Sequence, residues 1–159
     1  MLSHRTGEDD ADRPPYGGAG ADDEGVSVAS SLTLDQVEQP WPPPPDSATD
    51  LVRRCHRLRR VPVGELTTEG LRVLLGQQIG VPTLLPLAVA RLVEDPLTAG
   101  DYYPGDLLRA VLRLPDQAWT DPDLTARLAR VLDQATLPAP EPAGQAQAWL
   151  ERRRSDHPA

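Results

Sequence analysis

The stretch "TTEGLRVLLGQQIGVPTLLPLAVARLVED", residues 67–95, predicts two consecutive helices that are too apolar to lie at a surface. Thr67 or Thr68 can cap the first helix, which we expect to continue to Gly80. Pro82 suits the first turn of the second helix. A helix that is apolar around most of its circumference belongs in a protein interior. We therefore place these two helices at the centre of an all-α fold.

Two glycines interrupt the first of these helices. Gly70 and Gly76 each weaken a helix interior by about 1 kcal/mol relative to alanine. We expect close helix packing to be the reason for both.

Amphipathic segments on either side predict the other helices. One starts at Asp46 or Ser47 and ends before Pro62. Further segments start at Pro104 and at Asp121, which is followed by a proline suited to a first helical turn. No stretch alternates with the period of two that indicates a strand. Residues 46–136 are thus predicted to form a compact bundle of about five helices. The apolar positions of the first flanking helix are Leu51, Val52, Cys55 and Leu58.

The two ends of the chain differ from this bundle in composition. Residues 1–30 are acidic and lack hydrophobic periodicity, which predicts a disordered tail. Residues 31–45 form a lead-in that ends in four prolines and can act as a stiff spacer or as a ligand for an aromatic groove. Residues 137–159 are predicted to be a linker and a short helix, "QAQAWLERRR", with Trp149 as its anchor.

The net charge of −8 argues against a nucleic-acid-binding protein, which would carry basic patches. The charge is unevenly distributed: residues 1–50 hold 11 acidic and two basic residues, whereas residues 51–159 hold 13 and 14. Cys55 is the only cysteine, so an internal disulfide is excluded and a reducing compartment fits. The first 15 residues lack the apolar core of a signal peptide, and no apolar run reaches the about 20 residues of a membrane helix. We expect a cytoplasmic protein without a membrane partner.

Catalytic, cofactor and metal sites are not predicted. Cys55 and His56 are adjacent on a predicted helix and point about 100° apart, a poor geometry for a catalytic pair. We expect Cys55 in the core and His56 at its margin. "GQQIGVP" lacks the lysine and the preceding strand of a phosphate-binding loop. Metal ligands at characteristic spacing are absent from the sequence.

Two surfaces are candidates for binding a partner. Tyr102 and Tyr103 lie side by side between two acids, Asp101 and Asp106, in "GDYYPGDLL". Tyrosine suits an interface and a helix corner equally well, so we expect one ring to pack inward and the other to face a partner. Arginines along the first flanking helix can hold phosphate, be solvated, or pair with acids elsewhere: Arg53, Arg54, Arg57, Arg59 and Arg60.

Two quoted stretches together carry a family resemblance. "CHRLRRVPVGELTTEGLRVLLGQQIG" followed by "PLAVARLVEDPLTAGDYYPGDLLRAVLRLP" resembles the immunity proteins of bacterial contact-dependent growth inhibition (CDI) systems, especially those with the signature "DPLAEGDYYPGDLL". The resemblance spans about residues 51–119. Thr98 and Ala99 replace the usual Ala-Glu pair, and the acidic tail has no counterpart.

The resemblance implies a protein that binds one cognate toxin domain in the cytoplasm and blocks it without catalysis or a cofactor. It implies that the tyrosine motif braces the junction between two helices, with Asp101 and Asp106 holding the turn, and forms at most one edge of the toxin interface. The alternative hypothesis is a helical adaptor that binds a partner through its acidic or proline-rich N-terminal segment. A small hydrolase is a third hypothesis.

Overall fold

A computed structural model of the chain describes residues 30–156. Nearly all of the predicted acidic tail, residues 1–30, lies outside the described residues. The described part is helical, as predicted, and contains two isolated β-bridges but no strand. The α-helices are α1 (Leu34–Val37), α2 (Asp50–Leu58), α3 (Thr68–Gly76), α4 (Val81–Glu94), α5 (Asp106–Leu112), α6 (Pro122–Gln134) and α7 (Ala143–Asp156).

The two helices predicted to be central do form the middle of the core. Helix α3 packs against α2, α4 and α5, and α4 packs in turn against α6. Their leucines are almost completely shielded from solvent, and Val111 and Leu128 meet them from α5 and α6. The core thus consists mainly of aliphatic side chains, as the scarcity of aromatic residues indicates. Its leucines from α3 and α4 are Leu71, Leu74, Leu75, Leu84, Leu85 and Leu92.

Helix α3 ends four residues earlier than predicted. The backbone turns into the left-handed region at Gln78 (φ 56°) and again at Gly80 (φ 63°), which breaks the helical path. Gly80 also lies against the Leu34 side chain, and a Cβ at Gly80 would come within 2.7 Å of it. Gly80 therefore allows both the sharp turn before α4 and the docking of α1.

The two glycines of α3 have different environments. A Cβ on Gly70 would lie 3.3 Å from Leu66 and 3.4 Å from Leu58, so close packing explains this glycine as expected. Gly76 is exposed and has no atom within 4 Å of such a Cβ. The packing explanation for Gly76 is therefore wrong.

Helix α2 is less buried than its apolar pattern predicts. It begins at Asp50, and Thr49, rather than Asp46 or Ser47, caps it by accepting a hydrogen bond from the Val52 amide. Leu51 and Val52 are 43% and 39% exposed, so the apolar residues of the first turn of α2 lie at the surface. Cys55 is buried, as expected.

One arginine of the predicted polar stripe is itself buried. Arg59 is 1% exposed and donates hydrogen bonds to Asp35 (2.8 Å), Glu38 (2.9 Å) and the Gln39 carbonyl (3.0 Å). Its guanidinium also lies 4.4 Å from the centre of the Trp41 ring. Arg59 thus ties the N-terminal lead-in to the end of α2.

The C-terminal helix α7 contributes side chains to the core. Trp149, the predicted anchor, is fully buried and meets Trp119 edge-on with ring centres 5.0 Å apart. Helix α7 contacts α5. Leu34 of α1 and Trp149 of α7 belong to the same core cluster.

Candidate functional site

The loop between α4 and α5, residues 95–105, holds the two adjacent tyrosines at its tip. The Asp95 carboxylate accepts a hydrogen bond from the Leu97 amide (3.0 Å), and the Gly105 amide donates to the Leu97 carbonyl (3.1 Å). An antiparallel bridge joins Ala99 and Pro104. The loop is therefore a closed turn with its own hydrogen bonds.

Asp106 holds this turn from the first residue of α5. Its buried carboxylate accepts hydrogen bonds from the Gly100 amide (2.6 Å) and the Tyr102 amide (3.2 Å). Asp101, the other predicted bracing acid, has a side chain that is 67% exposed and lies 3.7 Å from Arg54. Of the two acids, Asp106 provides the side-chain hydrogen bonds within the turn, and Asp101 contributes its backbone.

A third carboxylate, not predicted as part of the site, lies beneath the loop. Glu69 on α3 is only 6% exposed, and its Oε2 accepts a hydrogen bond from the Asp101 amide (3.0 Å). Arg72 donates two hydrogen bonds of 2.7 Å to Glu69 and lies 3.7 Å from Asp106. Arg54 of α2 completes the cluster at 3.3 Å from Glu69.

The arginines of this cluster keep Glu69 ionised. The hydrogen bonds from Arg72 lower the pKa of Glu69 to about 2, although burial alone would raise it. In the same pair, the hydrogen bonds to Glu69 raise the pKa of Arg72. Glu69 and Asp106 thus form a charged and hydrogen-bonded base on which the tyrosine loop rests.

Both tyrosines lie outside the core. Tyr102 is 70% exposed and Tyr103 is 43% exposed, so the expectation that one ring packs inward is wrong. The groups beneath the loop are the charged side chains of Glu69, Arg72 and Asp106, which offer no apolar site for a ring. The Arg72 guanidinium lies 4.5 Å from the Tyr102 ring centre, and Arg109 donates a hydrogen bond to the Tyr103 hydroxyl (3.0 Å).

The tyrosines and the neighbouring ends of α3 and α5 enclose an open groove of about 500 Å³, which we call the tyrosine groove. Its charged lining consists of three arginines and one carboxylate. The loop presents aromatic rings at its edge, and the base beneath it is fixed by Glu69 and Asp106. Such a surface can bind a polar segment of another protein. The residues lining the groove are Arg72, Gly76, Gln77, Gln78, Tyr102, Tyr103, Asp106, Arg109, Ala110 and Arg113.

The structure therefore places the four predicted binding residues together, but in unequal roles. Tyr102, Tyr103 and Asp106 line the tyrosine groove, whereas Asp101 points away from it toward Arg54. The sequence signal for Glu69 and Arg72 was only their spacing of three residues on a predicted helix, which brings two side chains together on one face.

The adjacent Cys55 and His56 do not form a catalytic arrangement. Cys55 is buried, and this burial raises the pKa of its thiol despite the nearby Arg54 charge. His56 lies at the margin of the core, as expected, with its ring edge-on to Trp41 at 5.0 Å. Across residues 30–156, no three His, Cys, Asp or Glu side chains are grouped as a metal site would require.

The proline-rich lead-in lies along the surface next to α2. Trp41 is partly buried against Arg59 and His56, so this ring is already in contact with the domain. Pro42, Pro43 and Pro45 are exposed.

Among residues 30–156, none of the helices has the length and hydrophobicity that a membrane span requires.

Comparison with known proteins identifies one family. The family model described as CDI immunity proteins matches residues 35–128, which is more than half of the chain. The match begins in α1, ends in α6 and includes the whole tyrosine groove. No curated protein and no solved structure matches the chain.

Proposed function

Since the chain belongs to the CDI immunity proteins, we propose that it binds a cognate toxin domain in the cytoplasm and neutralises it by occupancy, without catalysing a reaction. The family match over residues 35–128 is the observation that carries this proposal. The sequence resemblance over about residues 51–119 lies within this range and indicates the same family.

The tyrosine groove is the surface that we propose for contact with the toxin. Tyrosines are enriched at protein interfaces because they bring a large apolar ring and a polar hydroxyl. Here both rings are exposed while their backbone is held by Asp106 and Glu69. A partner that binds a surface already in its bound shape loses less conformational entropy, which favours a tight complex.

Neutralisation by occupancy fits the chemistry of the described side chains. The thiol of Cys55 is buried and its pKa is raised, which disfavours the reactive thiolate. The strongly acidic carboxyl of Glu69 is engaged by Arg72 and the loop backbone and so serves the structure of the site. In this proposal the toxin is blocked for as long as the complex persists.

Complex formation with the toxin domain encoded beside this chain's gene tests the proposal. The purified full chain and that toxin domain should elute together on size exclusion. The double variant Tyr102→Ala/Tyr103→Ala should bind at least about 10-fold more weakly, since interface tyrosines are frequent hot spots. The matched control is Val93→Ala, which removes a side chain of similar exposure (43%) from α4, outside the groove. Equal binding by both variants would place the interface elsewhere, and no binding by the unchanged chain would contradict the proposal.

The adaptor hypothesis is supported by the exposure of Pro42, Pro43 and Pro45, which leaves a short polyproline segment accessible. Replacing these three prolines with alanine tests it. Under the immunity proposal the variant keeps its affinity for the toxin domain. A loss of toxin binding in this variant, with an unchanged melting temperature, would favour binding through the N-terminal segment.

A further inference from the structure

The charges of the tyrosine groove are not balanced. Glu69 and Asp106 engage Arg72, so its charge is compensated within the fold. Arg109 and Arg113, on the same side of α5, have no carboxylate within ion-pair distance among residues 30–156. The groove therefore has two uncompensated cationic side chains facing its open space.

Arg109 also has an unsatisfied donor. Its Nη1 donates to the Tyr103 hydroxyl, but its Nε is buried and has no hydrogen-bond partner in the described part of the chain. A buried donor without an acceptor is unfavourable by roughly 1–3 kcal/mol, and more for a charged group. The unsatisfied donor thus belongs to one of the two cationic side chains that line the groove.

The other polar groups of the groove favour the same kind of ligand. Gln77 and Gln78 lie exposed at the end of α3, and each side-chain amide can donate hydrogen bonds. Guanidinium groups bind carboxylates through paired, charge-assisted hydrogen bonds. Asp106, the one carboxylate in the lining, already accepts from two backbone amides and so opposes an incoming anion less than a free carboxylate would.

The surroundings of Arg109 indicate a macromolecular ligand. Tyr103 and Arg109 also line a second cavity of about 220 Å³, whose remaining wall consists of Pro104, Pro138, Glu141 and Pro142; Glu141 forms no ion pair with Arg109. The two cavities share this tyrosine–arginine wall, and the second is mostly apolar. A protein loop can place an acidic side chain in one and an apolar side chain in the other, whereas a small anion fills only the first.

We propose that the tyrosine groove receives an acidic side chain, aspartate or glutamate, from a surface loop of the toxin, and that this carboxylate pairs with Arg109 and Arg113. The inference rests on the proposed function and adds the chemical character of the toxin surface. It makes Arg109 and Arg113 specificity-determining residues, since a toxin with a neutral or basic residue at this place leaves both cations unpaired.

The experiment measures the affinity of full-length variants for the toxin domain encoded by the adjacent gene. Arg113→Glu reverses an exposed charge that has no partner in the described fold, and Arg109→Gln removes the other cation. The matched control is Arg127→Glu, an exposed arginine in the middle of α6 that also makes no ion pair in the range described. Melting temperatures are recorded for each variant.

We expect Arg113→Glu and Arg109→Gln to weaken toxin binding by at least about 10-fold, and Arg127→Glu by less than about 3-fold. The loss for Arg113→Glu should shrink as salt is raised, because salt screens an exposed charge pair. Changing the partner acid on the toxin to arginine should restore binding to Arg113→Glu.

Other results overturn the inference in distinguishable ways. If the unchanged chain binds the toxin and Arg113→Glu and Arg109→Gln bind it as tightly as the unchanged chain does, the acidic-loop inference fails and the immunity function stands. If the unchanged chain does not bind, the proposed function itself fails, and the inference with it.

The chain's own acidic segment is the competing occupant. An Arg113→Glu effect that vanishes when the seven acids from Glu8 to Glu24 are changed to amides would assign the groove to that segment and overturn the inference.

Discussion

Glu69 and Arg72 form a two-point ion pair on one face of α3, with both N–O distances at 2.7 Å. The pair is largely buried and lies beneath the loop that begins at Asp95. Through the Asp101 amide it fixes the loop that carries both exposed tyrosines. The shape of the proposed binding surface therefore depends on an ion pair on α3, outside the loop itself.

The first prediction concerns the pH dependence of this pair. The pKa of Glu69 is lowered to about 2 from its ordinary value of 4.5, so its contribution to stability is present above pH 4.5 and is lost as the pH falls toward 2. Glu69→Gln should therefore destabilise the protein at pH 7 by on the order of 3 kcal/mol, and this difference should shrink as the solution is acidified. Urea unfolding at several pH values between 7 and 2.5 measures it.

The control for this series is Glu65→Gln, which changes an exposed glutamate just before α3. Its effect on the free energy of unfolding should be small at every pH. A Glu69→Gln difference that stays constant from pH 7 to pH 2.5 would show that the ion pair does not supply this stability.

The second prediction concerns the buried cation of α2. Arg59→Ala removes the buried hydrogen-bond partner of Asp35 and Glu38, leaves Asp35 with only the exposed Arg60 at 3.8 Å, and removes the contact with Trp41. Because both acids retain some access to water, we expect a loss of about 2–3 kcal/mol, below the range for a fully buried ion pair. Chemical denaturation measures this loss. Arg57→Ala, at an exposed position on the same helix, should change stability by less than about 0.5 kcal/mol, and equal effects of the two variants would contradict the assignment.

The third prediction compares two glycines. A Cβ at Gly100 would collide with the Glu69 carboxylate and come within 2.9 Å of Asp106, so Gly100→Ala should destabilise the protein by about 1–3 kcal/mol. A Cβ at Gly76 meets nothing within 4 Å, and Gly76→Ala should instead stabilise by up to about 1 kcal/mol. Thermal unfolding distinguishes the two signs, and a neutral Gly100→Ala would mean that the loop is not seated on these carboxylates.

The fourth prediction concerns the C-terminal helix. Trp149 is fully buried in the common core, so Trp149→Ala should cost about 3–5 kcal/mol through lost burial and the cavity left behind. Gln147→Ala, two residues earlier on the exposed face of α7, is the control and should have little effect. A small effect of Trp149→Ala on the unfolding midpoint would indicate that α7 is dispensable for the domain.

Sequence periodicity was enough to predict the helical core. The apolar runs of α3 and α4 cover most of each helix, so these helices had to be buried. The start of α6 is signalled locally, by the Asp121 cap and by Pro122 in the first turn. Trp149 was also predictable because it is the single large aromatic in its segment. These features depend on residues that are close together in the chain.

The polar contacts were less predictable because they join distant parts of the chain. The arginines of α2 look alike in sequence, and the burial of Arg59 depends on two acids 21 and 24 residues away. In the sequence Glu69 looks like an ordinary acid in the first turn of a helix. Its role depends on the hydrogen bond from the Asp101 amide, which lies 32 residues later in the chain. The exposure of Tyr103 could not be predicted, since tyrosine is suited to both a core margin and an interface.

Neutralisation of the toxin is tested by the growth of bacteria that express the adjacent toxin domain, with and without this chain. We expect arrest with the toxin alone, full growth when the unchanged chain is co-expressed, and loss of protection with Tyr102→Ala/Tyr103→Ala but not with Val93→Ala. Growth arrest that persists in the presence of the unchanged, folded chain would contradict the claim that this protein neutralises that toxin.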